Sequence, residues 1–511
     1  MQRYEKKLEL NKKLSTNSKK NRIFVLMQKT ILNIFGIIFL LGSIIIFEGC
    51  RKDPVFNTDP NFQLEFSTDT ITFDTVFTSL GSTTAWLRVY NRSNQDVDIR
   101  EIKLVDGDRS AFRMNVSGDT LPVQNNVRLR ANDSLFIFIT VMIDLGSESE
   151  PVLKEDFIRF SFNNRTQNVV LRASGQNAVY HISDTTVDMF CPISDTIRRF
   201  PVIFANTDTF LVSEKPHIIY GYLFVRSGET LVLNAGTRLY FAPNSGLIVA
   251  DGGSLQVNGS FENEVIFEGM RLDANYRHIT GQWDRIWLSP GSVENRINWA
   301  IIRNGTIGLL VDSMPNLNHP LIIENTVIDN MLTHGIYAKN AAIIGNNLQV
   351  SNCGERLLAL IGGEYRFEHC TFANYFSAST IRRFASVLLD STSLHSAIRA
   401  DFTSCIIFGT LQEELEIRPS VTQHINFSFC NIRTRRNTND RMFQDCIFNI
   451  NPLFKNPSGV TGDFDISSET SGVIGKGKPG PTGSVRDDLK RRQREHIPTI
   501  GAYEYRAQRD I

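Results

Sequence analysis

The chain has 511 residues, 54 basic and 54 acidic side chains, and a hydrophobic content of 41%. That length and apolar content are enough for two or three domains with their own cores. Balanced charge gives no overall field for a polyanion, and no basic stripe interleaved with aromatics stands out in the body of the chain, so nucleic acid is not an expected partner.

The N-terminus is the exception to that balance. Arg3, Lys6, Lys7, Lys12, Lys13, Lys19, Lys20, Arg22 and Lys29 precede an apolar run from Ile31 to Phe47. Positive residues ahead of an apolar run read as a targeting signal. The end of the run decides its kind: Phe47-Glu48-Gly49-Cys50 puts a small residue directly before a cysteine, where lipoprotein signals are cut and the thiol acylated. The expectation is therefore a signal peptide over 27–49, lipid attachment at Cys50 and a membrane anchor made of acyl chains, with residues 1–26 an extension if Met27 rather than Met1 is the start. Glu48 departs from the usual small or aliphatic residue, which leaves an uncleaved anchor helix as the other reading. Residues 50–60 are polar and contain proline, as a tether would.

Residues 61–177 read as an all-β unit. Leu87 and Val89 alternate with Arg88 and Tyr90, and Leu135 to Ile143 is nearly continuous apolar sequence before Phe157-Ile158-Arg159-Phe160. Short strands joined by turns such as Ala131-Asn132-Asp133-Ser134 point to a β-sandwich acting as spacer or contact surface. Residues 178–207 are assigned to a linker or N-terminal cap.

From 208 to 450 the chain repeats itself. Val225, Leu231, Leu233, Asn234 and Phe241 recur about 24 residues later as Val249, Leu255, Val257, Asn258 and Val265. Strands of three to five residues with glycine or asparagine at the corners indicate β-coils, hence a parallel β-helix of roughly ten turns, right-handed by the rule for parallel crossovers. An apolar residue two before an asparagine recurs at Asn304, Asn330, Asn352 and Asn374, which places these amides in a structural ladder. Cys370, Cys405 and Cys430 each precede an apolar strand and fall at one inward position of successive coils. Stacked β-carbons lie farther apart than the roughly 3.8 Å of a disulfide, which favours thiols, although an oxidising compartment keeps the crosslinked form open. Cys191, Cys353 and Cys446 complete the set after Cys50. With no CxxC and no HxxxH, no metal ligand and no cofactor is assigned.

Residues 451–511 read as a C-terminal cap. Asn451-Pro452-Leu453-Phe454, Asp463-Phe464-Asp465-Ile466 and Ile500-Gly501-Ala502-Tyr503-Glu504 closely resemble the closing series of right-handed β-helix proteins of the pectate-lyase-like superfamily. With Gly281-Gln282-Trp283-Asp284-Arg285-Ile286-Trp287 and the double repeat, nearly everything after Cys50 is similar to β-helix lipoproteins of the Bacteroidota that carry an N-terminal Ig-like, Hydin-like module. The resemblance implies an all-β fold of sandwich plus β-helix and a cell-envelope location on the outer membrane. It leaves activity open, because such helices host lyases, hydrolases and inert adhesins alike.

A lyase or hydrolase would need acids converging on one face, with a basic partner. Candidate acids are Asp273, Asp284, Asp312, Glu324, Asp329, Glu364 and Glu368, with Arg285 and Arg303 as partners; solvated turn positions are the alternative for each. His334 and His369 are either general bases or packed imidazoles. Trp283, Trp287, Tyr337 and Tyr365 are either a sugar platform or packing between coil and loop. Three classes follow: a surface that binds glycan or an envelope protein, a polysaccharide-processing enzyme, and a structural envelope component. Three converging acids would favour the enzyme; an exposed aromatic strip would favour binding.

Overall fold

The computed structural model describes residues 55–507 apart from 78–83, 145–151, 206–213, 274–275, 314–318, 377–381, 392–396, 419–422 and 459–461. The expected signal and lipid-attachment region, Cys50 included, lies outside the described residues. Among those residues no helix is long and apolar enough to cross a membrane.

The N-terminal unit is an Ig-like sandwich of two sheets. One holds Glu65–Phe66, Ala85–Tyr90, Ser134–Val141 and Phe112–Val116 in that order; the other holds Thr70–Phe77, Arg165–Gln176, Val152–Phe162, Val97–Leu104 and Val123–Leu129. Period-two alternation puts Leu87, Val89, Ile99, Ile137, Ile139, Ile158, Phe160 and Leu171 between the sheets, where each is fully buried. The presumed tether is shorter than 50–60. Val55 accepts the Asp96 amide at 2.9 Å, Asn57 donates to the Asp96 carbonyl at 2.7 Å and Asn163 Nδ2 donates to Asp59 O at 3.0 Å, so the chain is fixed to the sandwich from Val55 onward.

The remainder is a parallel β-helix in which each coil contributes short strands to three faces. The third face is the most regular, with eleven strands from Val179–Ile182 to Ile447–Phe448. The first face starts with Thr196–Phe204, Tyr222–Val225 and Gly246–Val249; the second starts with Thr230–Asn234 and Ser254–Asn258. His334–Asn346 and Arg356–Glu368 run through the corner between these two faces without a break. The stretch 178–207 thus supplies strands to the solenoid rather than a plain linker. Thr185–Cys191 and Thr196–Phe204 form a hairpin whose inner side, Cys191, Phe200 and Val202, packs on Tyr222, Ile248, Trp287 and Leu310 outside the first face.

Register explains the repeat and its one defect. Val225 stacks on Val249, Leu231 on Leu255, Leu233 on Val257 and Asn234 on Asn258. Phe241, however, stacks on Gly269 and not on Val265, because a turn closed by the Ser260–Asn263 bridge lengthens the second coil at that corner. Another corner is turned by a single left-handed residue on seven successive coils: Trp299, Asn325, Asn347, His369, Ser404, Phe429 and Asp445, with φ from 48° to 54°. Asparagine suits such a position because its short polar side chain bonds locally.

Residues 451–507 are not an end plug, and here the structure departs from the expected cap. They run back along the outside of the third face. Phe454, Phe464, Ile500 and Ala502 pack on Ala373, Ile406 and Phe408; Ala502 N donates to Thr371 Oγ1 at 2.9 Å, Tyr503 OH to Gln349 Oε1, and Arg494 Nη2 to Asn347 Oδ1 at 2.8 Å. Arg491 reaches as far as the ring of Trp299. Met442, Phe443 and Phe448 at the last coil are therefore only partly covered. The sandwich meets the same face near its start, where Phe77 lies 5.3 Å from the Tyr240 ring.

Candidate functional site: an arginine-lined cleft

The candidate acids do not converge. Asp312 ends a first-face strand, Glu324, Glu364 and Glu368 belong to the second face, Asp329 belongs to the third, and Asp273 and Asp284 sit in loops. Asp312 and Asp390 share a column on the first face, but Lys339 and Ile361 intervene, which separates them by about 14 Å at the usual strand spacing. Glycoside hydrolysis needs carboxyl groups roughly 5 to 9.5 Å apart. Glu364 and Asp401 come nearer, on adjacent coils, yet each stacks on an arginine, Arg399 and Arg366 respectively. Their groove holds about 80 Å³, well below the roughly 300 Å³ of an ordinary ligand pocket. Among the described residues no group of three or more His, Cys, Asp or Glu side chains is placed to hold a metal.

The basic and aromatic candidates are absorbed by packing. Arg285 donates to Asp284 at 2.7 Å and lies buried, as does Cys191 of the covering hairpin; Asp284 also accepts Tyr222 OH at 2.6 Å. Arg303 pairs with Glu268 at 2.9 Å. Trp283 fills the interior, stacked 4.7 Å from Phe241 with its Nε1 on Arg303 O, and Tyr365 is also inside. Trp287 is covered by the hairpin, beside the half-buried Tyr337. His369 is buried at the left-handed corner, and burial holds its pKa well below the usual imidazole value. Burial, with Arg356 nearby, lowers His334 to about 4, so it is neutral near pH 7. Of the two readings of these aromatics, sugar platform or packing, the structure bears out packing for Trp283, Trp287 and Tyr365.

Register brings the ladder residues together. Asn304, Asn330, Asn352 and Asn374 occupy one column, and Asn330 Nδ2 donates to Asn304 Oδ1 at 2.8 Å. Further along, the amides serve backbone instead: Asn352 Oδ1 accepts Tyr375 N at 3.1 Å, and Asn374 Nδ2 donates to Cys353 O at 2.9 Å. Cys370, Cys405 and Cys430 also share a column, which Cys446 extends. These thiols carry no crosslink; Cys405 N donates to Cys430 Sγ at 3.4 Å, and burial raises the Cys405 and Cys430 thiols well above their usual value.

Asp329 gives a pH-dependent test of the buried interior. Its carboxylate accepts Ser351 Oγ at 2.6 Å, and burial raises its pKa to about 6. An unfolded aspartate titrates near 4, so the folded chain binds this proton more tightly. The resulting stability is present below about pH 4 and is lost as pH rises through about 6, a change of roughly 3 kcal/mol. Asp329→Asn should flatten that slope in urea unfolding measured across this range; an unchanged slope would assign it to other groups.

The concave site is elsewhere, at the corner between the third and first faces on the last coils. Two adjoining clefts of about 550 and 520 Å³ share Gln412 and Arg435. The first is lined by Tyr375, Phe408, Arg433 and Asn449, the second by Arg383, Glu413, Glu416 and Arg436. Both glutamates are already engaged. Glu413 accepts Thr434 Oγ1 at 2.7 Å and Arg435 N at 3.0 Å, while Glu416 pairs with Arg356 and Arg418. Arg433 and Arg436 are oriented by main-chain carbonyls, Gly409 O at 2.6 Å and Ile417 O at 2.9 Å, and Arg433 lies 5.0 Å over the Phe408 ring. Such bonds aim a guanidinium without neutralising it. The cleft therefore presents four cations beside two aromatic rings. Its signal in the sequence was two basic runs, Arg382-Arg383 and Arg433-Thr434-Arg435-Arg436, each following a third-face strand, two coils apart.

No family model matches the chain, and no curated protein matches it in sequence. Among solved structures, the N-terminal unit is similar to a PapD-like domain of human CEP192 at 15% identity, over 23% of this chain and 87% of that one, with a TM-score of 0.16. The chain is also similar to the catalytic unit of a GH87 α-1,3-glucanase from Streptomyces thermodiastaticus strain HF3-3 at 11% identity, over 71% of this chain and 75% of that one, with a TM-score of 0.27. The Agl-KA catalytic domain aligns over 72% of this chain and 79% of its own at 10% identity, TM-score 0.18.

Proposed function

We propose that the protein is an envelope lipoprotein, anchored to the outer membrane through acylated Cys50, whose β-helix binds an anionic polysaccharide in the arginine-lined cleft. One observation carries the binding half of this reading: Arg383, Arg433, Arg435 and Arg436 line two joined concavities and, among the described residues, take part in no ion pair. Guanidinium groups held by main-chain carbonyls suit planar carboxylate or sulfate groups, and Tyr375 and Phe408 supply flat apolar surface for sugar rings. The anchoring half rests on the Gly49-Cys50 motif after an apolar run. A processing enzyme is the weaker reading, because the acids are dispersed over three faces and two loops.

The test is retention on immobilised polysaccharides, uronate-bearing, sulfated and neutral, with release of reducing or unsaturated ends followed in parallel. Retention on the anionic matrices without product is expected, weakening with salt as exposed charges are screened. Replacing both Arg433 and Arg435 by glutamate should lower affinity at least tenfold, about 1.4 kcal/mol. Equal retention on neutral glycan, or product from any of them, would overturn the reading.

A further inference from the structure

The sandwich carries a surface that its own core does not explain. In the sheet formed by Glu65–Phe66, Ala85–Tyr90, Phe112–Val116 and Ser134–Val141, the outward positions hold Trp86, Phe136 and Phe138, which are 56%, 42% and 46% exposed. Alternation would normally give polar residues there. Trp86 stands opposite Phe138 and Arg88 opposite Phe136; the Phe136 ring lies 6.0 Å from Trp86 and 6.4 Å from Phe138, so the three form one strip, with exposed Met142 beyond it. Arg88 lies 5.0 Å over Phe136 and over Tyr90, and Arg92 4.3 Å over Tyr90. Arg113 stands on the neighbouring strand, opposite Thr140. The acid on this face, Glu65, is bonded to Arg92 at 3.0 Å, so the strip as a whole is aromatic and cationic.

Position selects the occupant. The chain is hydrogen-bonded to the sandwich from Val55, five residues after Cys50, and five extended residues span at most about 17 Å. Val55 pairs with Asp96, which closes the turn directly after the strand bearing Trp86, Arg88 and Tyr90. An acyl chain on Cys50 would hold this unit against the headgroups. Tryptophan concentrates at the membrane–water boundary, and arginine beside it meets anionic headgroups.

We infer that the Trp86–Phe136–Phe138 strip, with Arg88, Arg92 and Arg113, is a second membrane contact that lays the sandwich on the bilayer holding its lipid anchor. This rests on acylation of Cys50. It adds a reversible surface contact to the acyl chains and orients the solenoid relative to the membrane, which one flexible anchor cannot do.

Fluorescence separates the two ideas, because Trp283, Trp287 and Trp299 are buried and Trp86 is the exposed tryptophan. The full-length acylated protein is reconstituted into phosphatidylcholine vesicles with and without phosphatidylglycerol. Flotation with the vesicles reports the anchor. Quenching by brominated acyl chains and protection from acrylamide report the strip. Expected are a several-fold fall in acrylamide quenching relative to detergent and a bromolipid-quenched component that Trp86→Phe removes. Replacing Arg88 and Arg113 by glutamine should reduce the protection seen in phosphatidylglycerol vesicles. Floating protein whose Trp86 stays as accessible as in detergent would overturn the strip while leaving the anchor intact. Failure to float would remove the anchor and the strip with it. Protection by soluble polysaccharide instead of by bilayer would make the face a glycan platform and likewise overturn the proposal.

Discussion

Glu414→Ala should destabilise the protein by about 3–5 kcal/mol, the range for removing one partner of a buried ion pair. Glu414 and Arg382 are almost completely shielded from solvent, with side-chain exposures of 0% and 2%, and face each other through two bonds, of 2.5 and 2.8 Å. The same carboxylate also accepts Ser386 N, Ser386 Oγ and Leu411 N. Truncation leaves a buried guanidinium with neutral acceptors such as Phe384 O and Thr410 Oγ1. The lost energy is mostly the cost of that uncompensated charge, so replacing both partners by apolar residues of similar size should restore much of it. Urea unfolding would read both effects. A loss below about 1 kcal/mol for the single variant would mean that water reaches Arg382. Leu411 and Gln412, which line the cleft, stand between Thr410 and Glu414, so the variant should also weaken glycan retention.

Phe402→Ala should cost a comparable amount, about 3–5 kcal/mol, for a different reason. Phe402 is fully buried in a column of rings, 5.2 Å from Phe367 and 4.9 Å from Phe427, with interplanar angles of 25° and 15°. Phe372 meets it edge-on at 6.1 Å. Loss of the ring opens a cavity between coils that parallel backbone pairing keeps at fixed spacing, so neighbours cannot collapse into it. Phe402→Leu retains most of the volume and should lose far less. Thermal and urea unfolding of both variants would check this, and equal losses would show that ring stacking matters more than filling.

The sequence revealed those features that depend on one period. Asn304, Asn330, Asn352 and Asn374 fall in one column because a left-handed or tightly bonded corner demands the same residue type each time the chain returns. Inward alternation likewise marked Leu87 and Val89 as sandwich core, whereas the continuous apolar run from Leu135 to Ile143 did not separate inward Ile137 and Ile139 from outward Phe136 and Phe138. Phase along a coil does not give the face, however, once turns differ in length. The extra residues at Ser260–Asn263 moved Phe241 from Val265 to Gly269, whereas Asp312, Glu324 and Asp329 fall on three faces because they end three consecutive strands of one coil. The cleft was written in two basic runs that each follow a third-face strand, but they share no position of the repeat and their concavity comes from loops, which carry no periodicity. Least legible was the return of the C-terminal segment: Tyr503 finds Gln349 and Arg494 finds Asn347 across some 150 residues, and no local pattern encodes such pairs.

That returning segment changes how the molecule bears load. A bare solenoid can be peeled from its end one coil at a time, since each coil touches only its neighbours. Here the C-terminal segment is sewn to the middle coils at Asn347, Gln349 and Thr371, so a pull on Tyr503 bypasses the last coil and loads several hydrogen bonds along the flank together. The structure would yield by shearing that flank before any coil unwinds, which makes the C-terminal half fail as one unit.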